Sequence, residues 1–418
     1  MKQQHLGFTA ILFFLICNLT FAQERSNWNN KKIDGYKGIW FTLGQSSDYG
    51  DKYSGGLGTY TAKHIPLSIY SPEVNKTFFV YGGTTGEEER YLLCMIGSFD
   101  HSSKMVTKPT VVYDKQGVDD PHDNPSLAMD AEGYIWVFVS GRGRGRPGFK
   151  FKSSEPYNIE SFDQITEEEM TYPQPKYIPG KGFLHLFTKY TGVRELYFET
   201  SPDGITWTAD KKLVGMKRES DKNGGHYQIS GQHGEKVVFF FNWHPNGNVD
   251  QRTNIYYLQT TDFGNTWTTV DGKETAIPVS DVNSSALVKE FYSQEKNIYI
   301  KDVNFDENGF PVALYLAGAG HQPGPENGPR EWFVAYWNGA EWENHKITES
   351  DQNYDMGSLF IEGDEWMVVG PSEDSPQLWG AGGEVVMWKS TDMGNTWDRA
   401  KQLTKNSKYN HNYVCFKI

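Results

Sequence analysis

Apolar and polar positions alternate along this chain in short runs broken by Gly, Asp, Asn and Pro. Long stretches with apolar residues at i, i+3, i+4 and i+7 are nearly absent. That is the pattern of an all-β protein. The clearest instance runs from Asp119 to Gly148. Polar His122-Asp123-Asn124 opens it, an alternating strand follows, and Asp130-Ala131-Glu132-Gly133 reads as a turn. A second strand, Tyr134 to Val139, leads into Arg142, Arg144 and Arg146. β-branched and aromatic residues around a Gly-bearing turn predict a hairpin, which returns the chain to the level where it began. His122 and the arginines are therefore expected at one end of one β-unit.

The same plan recurs: a polar start, a strand, a turn, then a strongly apolar strand. It is found at Lys63 to Gly83, His122 to Gly141, Tyr172 to Tyr190, His226 to His244, Lys301 to Gly320 and Tyr354 to Pro371. The turns fall near Asn75, Glu132, Lys181, Gly234, Asn308 and Gly363. A repeat of roughly 50 to 75 residues suits one four-stranded propeller blade. A seventh polar start, Tyr409-Asn410-His411-Asn412, predicts a strand to Ile418, with partners from the N-terminal segment Tyr36 to Leu43. Pairing the termini in one blade would close the ring and leave no sheet edge exposed. The expectation is one seven-bladed β-propeller over residues 23–418, with six blades as the nearest alternative.

Three further segments share a pattern: Ser201-Pro-Asp203-Gly204-Ile-Thr206-Trp207, Thr260-Thr-Asp262-Phe-Gly264-Asn-Thr266-Trp267 and Ser390-Thr-Asp392-Met-Gly394-Asn-Thr396-Trp397. This is the Asp-box, in which a carboxylate accepts backbone N–H groups of its own turn, Gly permits positive φ and Trp packs beneath. Asn338-Gly339-Ala340-Glu341-Trp342 resembles a degenerate copy. These boxes are folding staples on outer strands rather than reactive sites.

Composition adjusts the picture in a few places. Lys2, the apolar run Leu6 to Phe21 and Thr20-Phe21-Ala22 form a signal-peptide pattern over residues 1–22, with cleavage near Ala22. Export to the periplasm or medium follows as an expectation. No other stretch is apolar enough to span a bilayer. Cleavage removes one lysine and no acid, moving the formal net charge from −13 to −14. So acidic a chain has no electrostatic reason to bind nucleic acid, and an anionic ligand would need cations gathered locally. Cys94 and Cys415 would remain, either as two buried thiols or as a single bridge. No zinc spacing occurs. Asp-rich turns could hold structural calcium, but no motif demands it, and no cofactor is expected. A monomer is expected.

If the inner hairpins line a channel, their ends meet on one face. Those ends carry His64, His122 with Asn124, Tyr172 with Gln174, His226 with Tyr227, Lys301 with Asp302, Tyr354 with Asp355, and His411 with Asn412. Returning strands add Arg142, Arg144, Lys189, Tyr190, His244 and His321. A pocket of His, Tyr and Arg suits acid–base work on an anionic substrate. Removing H5 of a uronic acid builds charge on its carboxyl group. The reaction needs a cation to neutralise that group, a base for H5 and an acid for the leaving oxygen. His122 suits base or acid, with Tyr190 or Tyr227 as counterpart. Arg194, or an arginine of the 142–146 run, suits the carboxylate, while Asn124, His226, His244 and His321 complete the candidate binding set. A hydrolase would instead pair carboxylates. Asp123, Asp250, Glu331, Asp355 and Glu384 are available for that, with no spacing that singles out two.

His122-Asp-Asn-Pro, Asp130-Ala-Glu-Gly133-Tyr-Ile-Trp-Val137 and Ser140-Gly141 together resemble the BNR-4 group of propellers. So do Asn242-Trp-His244-Pro245, Asn254-Ile-Tyr256-Tyr257 and the Asp-box after them. The group is similar to ulvan lyases of polysaccharide lyase families 24 and 25 and to rhamnosidases of glycoside hydrolase family 145. The resemblance implies catalytic roles for His122, Tyr190 and Arg194. One departure stands out. Those lyases carry a second histidine after the returning strand, where this chain has Gly141-Arg142-Gly143-Arg144. Three activities stay open: elimination with scission, loss of water from an oligosaccharide end, and hydrolysis by a lone histidine. A glycan-binding propeller without catalysis is the remaining class.

Overall fold

The computed structural model describes residues 28–33, 46–51, 63–84, 86, 89–372 and 374–414. After a two-stranded ribbon, Ser46–Ser47 with Gly50–Asp51, six antiparallel sheets of four or five strands follow one another along the chain. In the first, Ser68–Ser71, Lys76–Gly83 and Leu93–Asp100 pair in order, and both Met105–Val106 and Thr110–Asp114 pair with the third strand. The other five are four-stranded meanders. They begin with Pro125–Met129, Thr171–Ile178, Gln228–His233, Asn297–Phe305 and Ser358–Glu362, and their second strands are Ile135–Val139, Gly182–Tyr190, Lys236–Trp243, Pro311–Gly318 and Glu365–Pro371. All six expected hairpins form. Each first strand lies innermost, and residues from all six, including Ser68, Ala128, Lys176, Ser230, Asn304 and Ser358, line a cavity of about 440 Å³. The arrangement is all-β and propeller-like, with no α-helix among the described residues.

Neighbouring sheets are joined near this channel by polar side chains at a constant offset. Ser230 Oγ donates to Gln174 Oε1 at 2.7 Å, and Asn304 Nδ2 donates to the Leu359 carbonyl at 2.9 Å. Residues 409–414 form no strand beyond a single bridge from His411 to Gly383. They nevertheless follow the same offset: Met356 N donates to Asn412 Oδ1, and Ser358 Oγ donates to the Val414 carbonyl. Tyr413 packs on the core that contains Phe78 and Val80 of the first sheet. Tyr36 to Leu43, the signal-like residues 1–22 and Cys415 lie outside the described residues. Cys94 is buried, and burial pushes its thiol up to about 12.

Between sheets the interior is aromatic. Trp136 packs edge-on against Phe183 of the next sheet at 5.0 Å, and Phe240 meets Trp342 at 5.6 Å. The Asp-boxes tie these layers together from outside. Each lies between the third and fourth strands of its sheet, and the Asn338 turn holds the same place. Asp262 accepts Thr266 N at 2.9 Å and Thr266 Oγ1 at 2.7 Å. Gly264 (φ 84°) is left-handed, and a Cβ there would sit 2.7 Å from the Phe198 ring of the preceding sheet. Trp267, 1% exposed, wedges against Phe198 and Phe239. No helix among the described residues is long and apolar enough to cross a membrane.

Trp267→Ala should cost roughly 3–5 kcal/mol in chemical denaturation, the range for emptying a buried aromatic site, while the remaining folded protein keeps its ligand affinity. A loss under about 1 kcal/mol would mean that the boxes do not hold the sheets together.

Candidate active site

The polar starts converge at the channel end opposite the hairpin turns. A short 3₁₀ turn, Pro121–Asp123, leads into the second sheet, and Asp120 caps it by accepting His122 N at 3.0 Å. Pro121 suits the first position of that turn, where its missing N–H is not needed. The same carboxylate lies 2.5 Å from His122 Nδ1. It also accepts Arg142 Nη1 at 2.7 Å and Arg146 Nη2 at 2.6 Å. Burial alone would raise the Asp120 pKa. The hydrogen bonds from His122 and the charge of Arg142 win, and the group stays ionised far below the usual carboxylate range. Arg142 Nη1, which can only donate, also lies 3.0 Å from Nδ1, but the contact to the ionised carboxylate, which only accepts, is the shorter, so it puts the proton on Nδ1 and the lone pair on Nε2. Burial lowers the His122 pKa below its ordinary 6.5, against the pull of Asp120. The imidazole is therefore neutral at neutral pH.

Aromatic rings and guanidiniums continue outward from His122. Tyr172 stands 5.7 Å from it, 5.4 Å from His64 and 5.5 Å from Tyr227, and Tyr227 lies 4.9 Å from His244. Tyr190 and Arg194 face each other across the turn at Gly192. The Arg194 guanidinium is 5.4 Å from the Tyr190 ring and 5.8 Å from Tyr227. Arg252 approaches Tyr227 at 4.9 Å and Tyr299 at 4.3 Å, and donates to the Tyr354 hydroxyl at 3.0 Å. Burial pushes the Tyr172 and Tyr190 phenols up. Burial would do the same to Tyr227, but the charges of Arg194 and Arg252 overcome it and draw this phenol below its ordinary 10. Burial, helped by Arg252, brings Lys63 down to about 7. The Tyr190 hydroxyl and Arg194 Nε are buried without a hydrogen-bond partner among the described residues. Such atoms cost about 1–3 kcal/mol each when left dry.

The structure thus brings together His122, Arg142, Tyr190, Arg194, Tyr227 and His244, with Asn124 buried at the end of the turn that carries His122. Three expected binding residues do not join them. His226 is corrected to a packing residue: its Nε2 accepts Met216 N and its Nδ1 donates to the Asn242 carbonyl, so backbone uses both ring nitrogens. Arg144 projects into solvent, 84% exposed, 3.7 Å from Glu169. His321 borders a separate cavity beside Asp250. His185 is buried against Glu199, away from the rim. Asp120, Arg252 and Tyr299 were not singled out from sequence. Asp120 had a usable signal, since a carboxylate two residues before His122 can cap the turn and reach the ring. Arg252 and Tyr299 had none, because only the fold brings them to Tyr227.

Among the described residues no group of three or more His, Cys, Asp or Glu side chains is placed to hold a metal ion. The five carboxylates considered for hydrolysis do not pair across the cluster. Asp123 is gripped by Lys115 and Arg146, Glu331 by Lys296 and Lys346, and Asp355 accepts Gly382 N. Glu384 holds the Thr404 and Ser407 hydroxyls, and Asp250 lies on the separate cavity.

Six antiparallel sheets around a channel, stapled by Asp-boxes and carrying a His/Tyr/Arg cluster on one rim, define a propeller-like protein of the BNR type. Residues 83–350, more than half of the chain, match the model of the BNR repeat-containing family, and the chain belongs to that family. It is similar to an ulvan lyase of Alteromonas sp. (strain LOR), 21% identical over 321 residues, covering 68% of this chain and 64% of that protein. It is also similar to an ulvan lyase of Nonlabens ulvanivorans, 20% identical over 378 residues, covering 80% of this chain and 76% of that one. The matched stretch thus spans less than two thirds of the Alteromonas protein. A solved polysaccharide lyase of family PL25, an ulvan lyase, superposes with TM-score 0.67 at 18% identity over 84% of this chain and 85% of the other.

An ultraviolet titration tests the electrostatics directly. One tyrosine should ionise below the ordinary pH of 10, and Arg252→Met should move that step upward. A wild-type protein in which every tyrosine ionises at or above 10 would overturn the assignment.

Proposed function

We propose that this protein degrades uronate-containing, ulvan-type polysaccharides or oligosaccharides by β-elimination. One observation carries the reading. A neutral, Asp120-oriented imidazole stands in one cluster with a protonated Tyr190 and with Arg194, whose buried Nε lacks a partner. His122 Nε2 takes H5 as a proton, and the released pair forms the C4=C5 bond. The C4–O bond breaks, and its oxygen takes the Tyr190 proton. Arg194, with Arg252 behind Tyr227, neutralises the carboxyl group on which charge builds. Arg142 stands where the similar lyases carry a second histidine, and its bond to Asp120 keeps it from proton transfer. That leaves elimination with scission and loss of water from a chain end both compatible with the site. Hydrolysis is less favoured, because each available carboxylate is engaged elsewhere or lies apart from the cluster. A solved PL25 structure carrying bound -[GlcA(1-4)Rha3S]- makes that type of glycan the first substrate to try.

The wider expectations belong to the same proposal. Asn412 to Val414 follow the inter-sheet offset beside Ser358, and Tyr413 packs on the first core, as a seventh inner strand would. This supports a seventh blade closed by both termini. Export after cleavage near Ala22, action as a monomer, and catalysis without a cofactor complete the reading.

Absorbance of a conjugated unsaturated uronate should grow on incubation with ulvan, and His122→Ala should slow it by ~10²-fold or more, as for loss of one acid–base group. Mass spectrometry then separates the outcomes: cleavage with unsaturation, loss of water without cleavage, or addition of water, which would defeat elimination. In the pH profile of kcat/KM, neutral His122 and protonated Tyr190 are the active forms. Activity should fall as pH drops through a value below 6.5 and as it rises through a value above 10. An acid limb at or above 6.5 would remove His122 as the base.

A further inference from the structure

Arg142 has hydrogen-bonding capacity that its bond to Asp120 does not use. Its loop is tightly held. Arg142 N donates to the Arg146 carbonyl at 2.7 Å, while Gly141 N donates to the Met170 carbonyl and Thr171 Oγ1 to the Gly141 carbonyl, each at 2.9 Å. The loop lies against Tyr190, since a Cβ added to Gly143 would stand 3.8 Å from Tyr190 Cβ. Burial would lower the Arg142 pKa, but Asp120 and then the Tyr190 and Tyr172 phenols outweigh it, so both rings lie within its field. The guanidinium uses only Nη1, on Asp120. Nε and Nη2 form the paired edge that matches two oxygens of one anion. They make no hydrogen bond among the described residues, and the side chain is 35% exposed.

Other cations of this rim are engaged by protein groups. Arg146 gives its own Nε and Nη2 to Asp123 and Asp120. Lys115 is buried on Asp123, and Lys189 holds Asp210. Lys63 donates to the Ile300 carbonyl, and buried Lys301 to that of Asn353. The glycan named above as the first substrate presents two anions, the uronate carboxylate and a sulfate ester on the adjoining sugar. Arg194 and Arg252 are assigned to the carboxylate, so the sulfate calls for a separate cation. The sugar linked through uronate O4 lies on the Tyr190 side, because Tyr190 protonates that oxygen, and the Arg142 loop abuts Tyr190. We propose that the Nε–Nη2 edge of Arg142 binds the sulfate of this O4-linked sugar, which makes Arg142 a specificity-determining residue. The assignment rests on the glycan reading above.

The test compares kcat/KM for unsaturated product on ulvan oligosaccharides and on the same oligosaccharides after desulfation. Both ligands carry the carboxylate, so the ratio of the two rates reports the sulfate alone. The wild-type protein should prefer the sulfated ligand by ~10- to 100-fold, the range for charge-assisted hydrogen bonds. Arg142→Gln should bring the ratio close to one. Damage passed through Asp120 to His122 would lower both rates and leave the ratio intact. Arg142→Lys keeps a cation for Asp120 but lacks the paired edge, and should lose most of the preference too. Arg144→Gln removes the same charge nearby and should keep the wild-type ratio. No preference in the wild type, full preference in Arg142→Gln, or an equal loss in Arg144→Gln overturns the assignment. If neither ligand yields unsaturated product, elimination fails, and calorimetric titration of the same proteins with both ligands decides the sulfate contact by the ratio of affinities. Absence of binding by both ligands removes the glycan reading and the assignment together.

Discussion

The Asp120 carboxylate accepts hydrogen bonds from the His122 imidazole and from the guanidiniums of Arg142 and Arg146 at once. It also accepts the backbone N–H of His122 and so fixes the turn that presents the ring. One group thus sets the position, the tautomer and the ionisation of the residue at the centre of the site. The hydrogen bonds from His122 and the charge of Arg142 keep Asp120 ionised, and its ionisation puts the imidazole proton on Nδ1. Without Asp120, burial would still hold His122 neutral, but Arg142 Nη1, 3.0 Å from Nδ1, could only donate to it and would favour the opposite tautomer.

Around this dyad the protein accumulates positive charge against its overall balance. The chain carries 53 acids to 40 bases, yet Arg142, Arg194, Arg252 and Lys301 all border the tyrosines, with Lys63 close enough to Arg252 and Lys301 to feel their charge. Crowding has visible consequences. Burial drives Lys301 well below its ordinary pKa, with Lys63 and Arg252 adding to the effect, and Tyr227 is drawn the other way. Such a site is unfavourable when dry and unliganded. An incoming carboxylate relieves it by supplying the missing negative charge. On the proposed reading, preference for an anionic sugar would be a property of the whole cluster rather than of one arginine.

How far the sequence discloses this depends on whether the information is local. The hairpins were legible because alternation and a turn residue lie within about 20 positions of each other, and the Asp-box because its bonds close within five residues. His122, Tyr190 and Tyr227 were legible because strand ends share a face once the hairpins repeat. Arg252 and Tyr299 were not, since they enter from a third strand and the next inner strand, where no repeat marks them. His226 misled for the same reason. It sits at a strand start like His122, but its neighbour in space is the backbone of Met216, ten residues earlier, and that contact belongs to tertiary packing. The arginine run divided likewise: Arg142 and Arg146 turn in toward acids, and Arg144 between them turns out.

A rim that concentrates buried cations and unpartnered polar atoms has to be held by the rest of the fold, because it contributes little stability itself. The outer architecture supplies that. Trp136, Trp267, Trp332 and Trp366 are almost fully buried, each worth roughly 1.5–3 kcal/mol or more of burial. Trp136, Trp267 and Trp366 pack against rings of neighbouring sheets. Gly204 and Gly264 bring Asp-box turns against Trp136 and Phe198 of the preceding sheet, so each of these boxes ties two sheets. Much of the stabilising burial thus lies between sheets, apart from the strand ends that carry the cluster. The segregation lets the inner strand ends vary in chemistry while the sheets keep their spacing, and it explains why the Asp-boxes recur where the histidines, tyrosines and arginines do not.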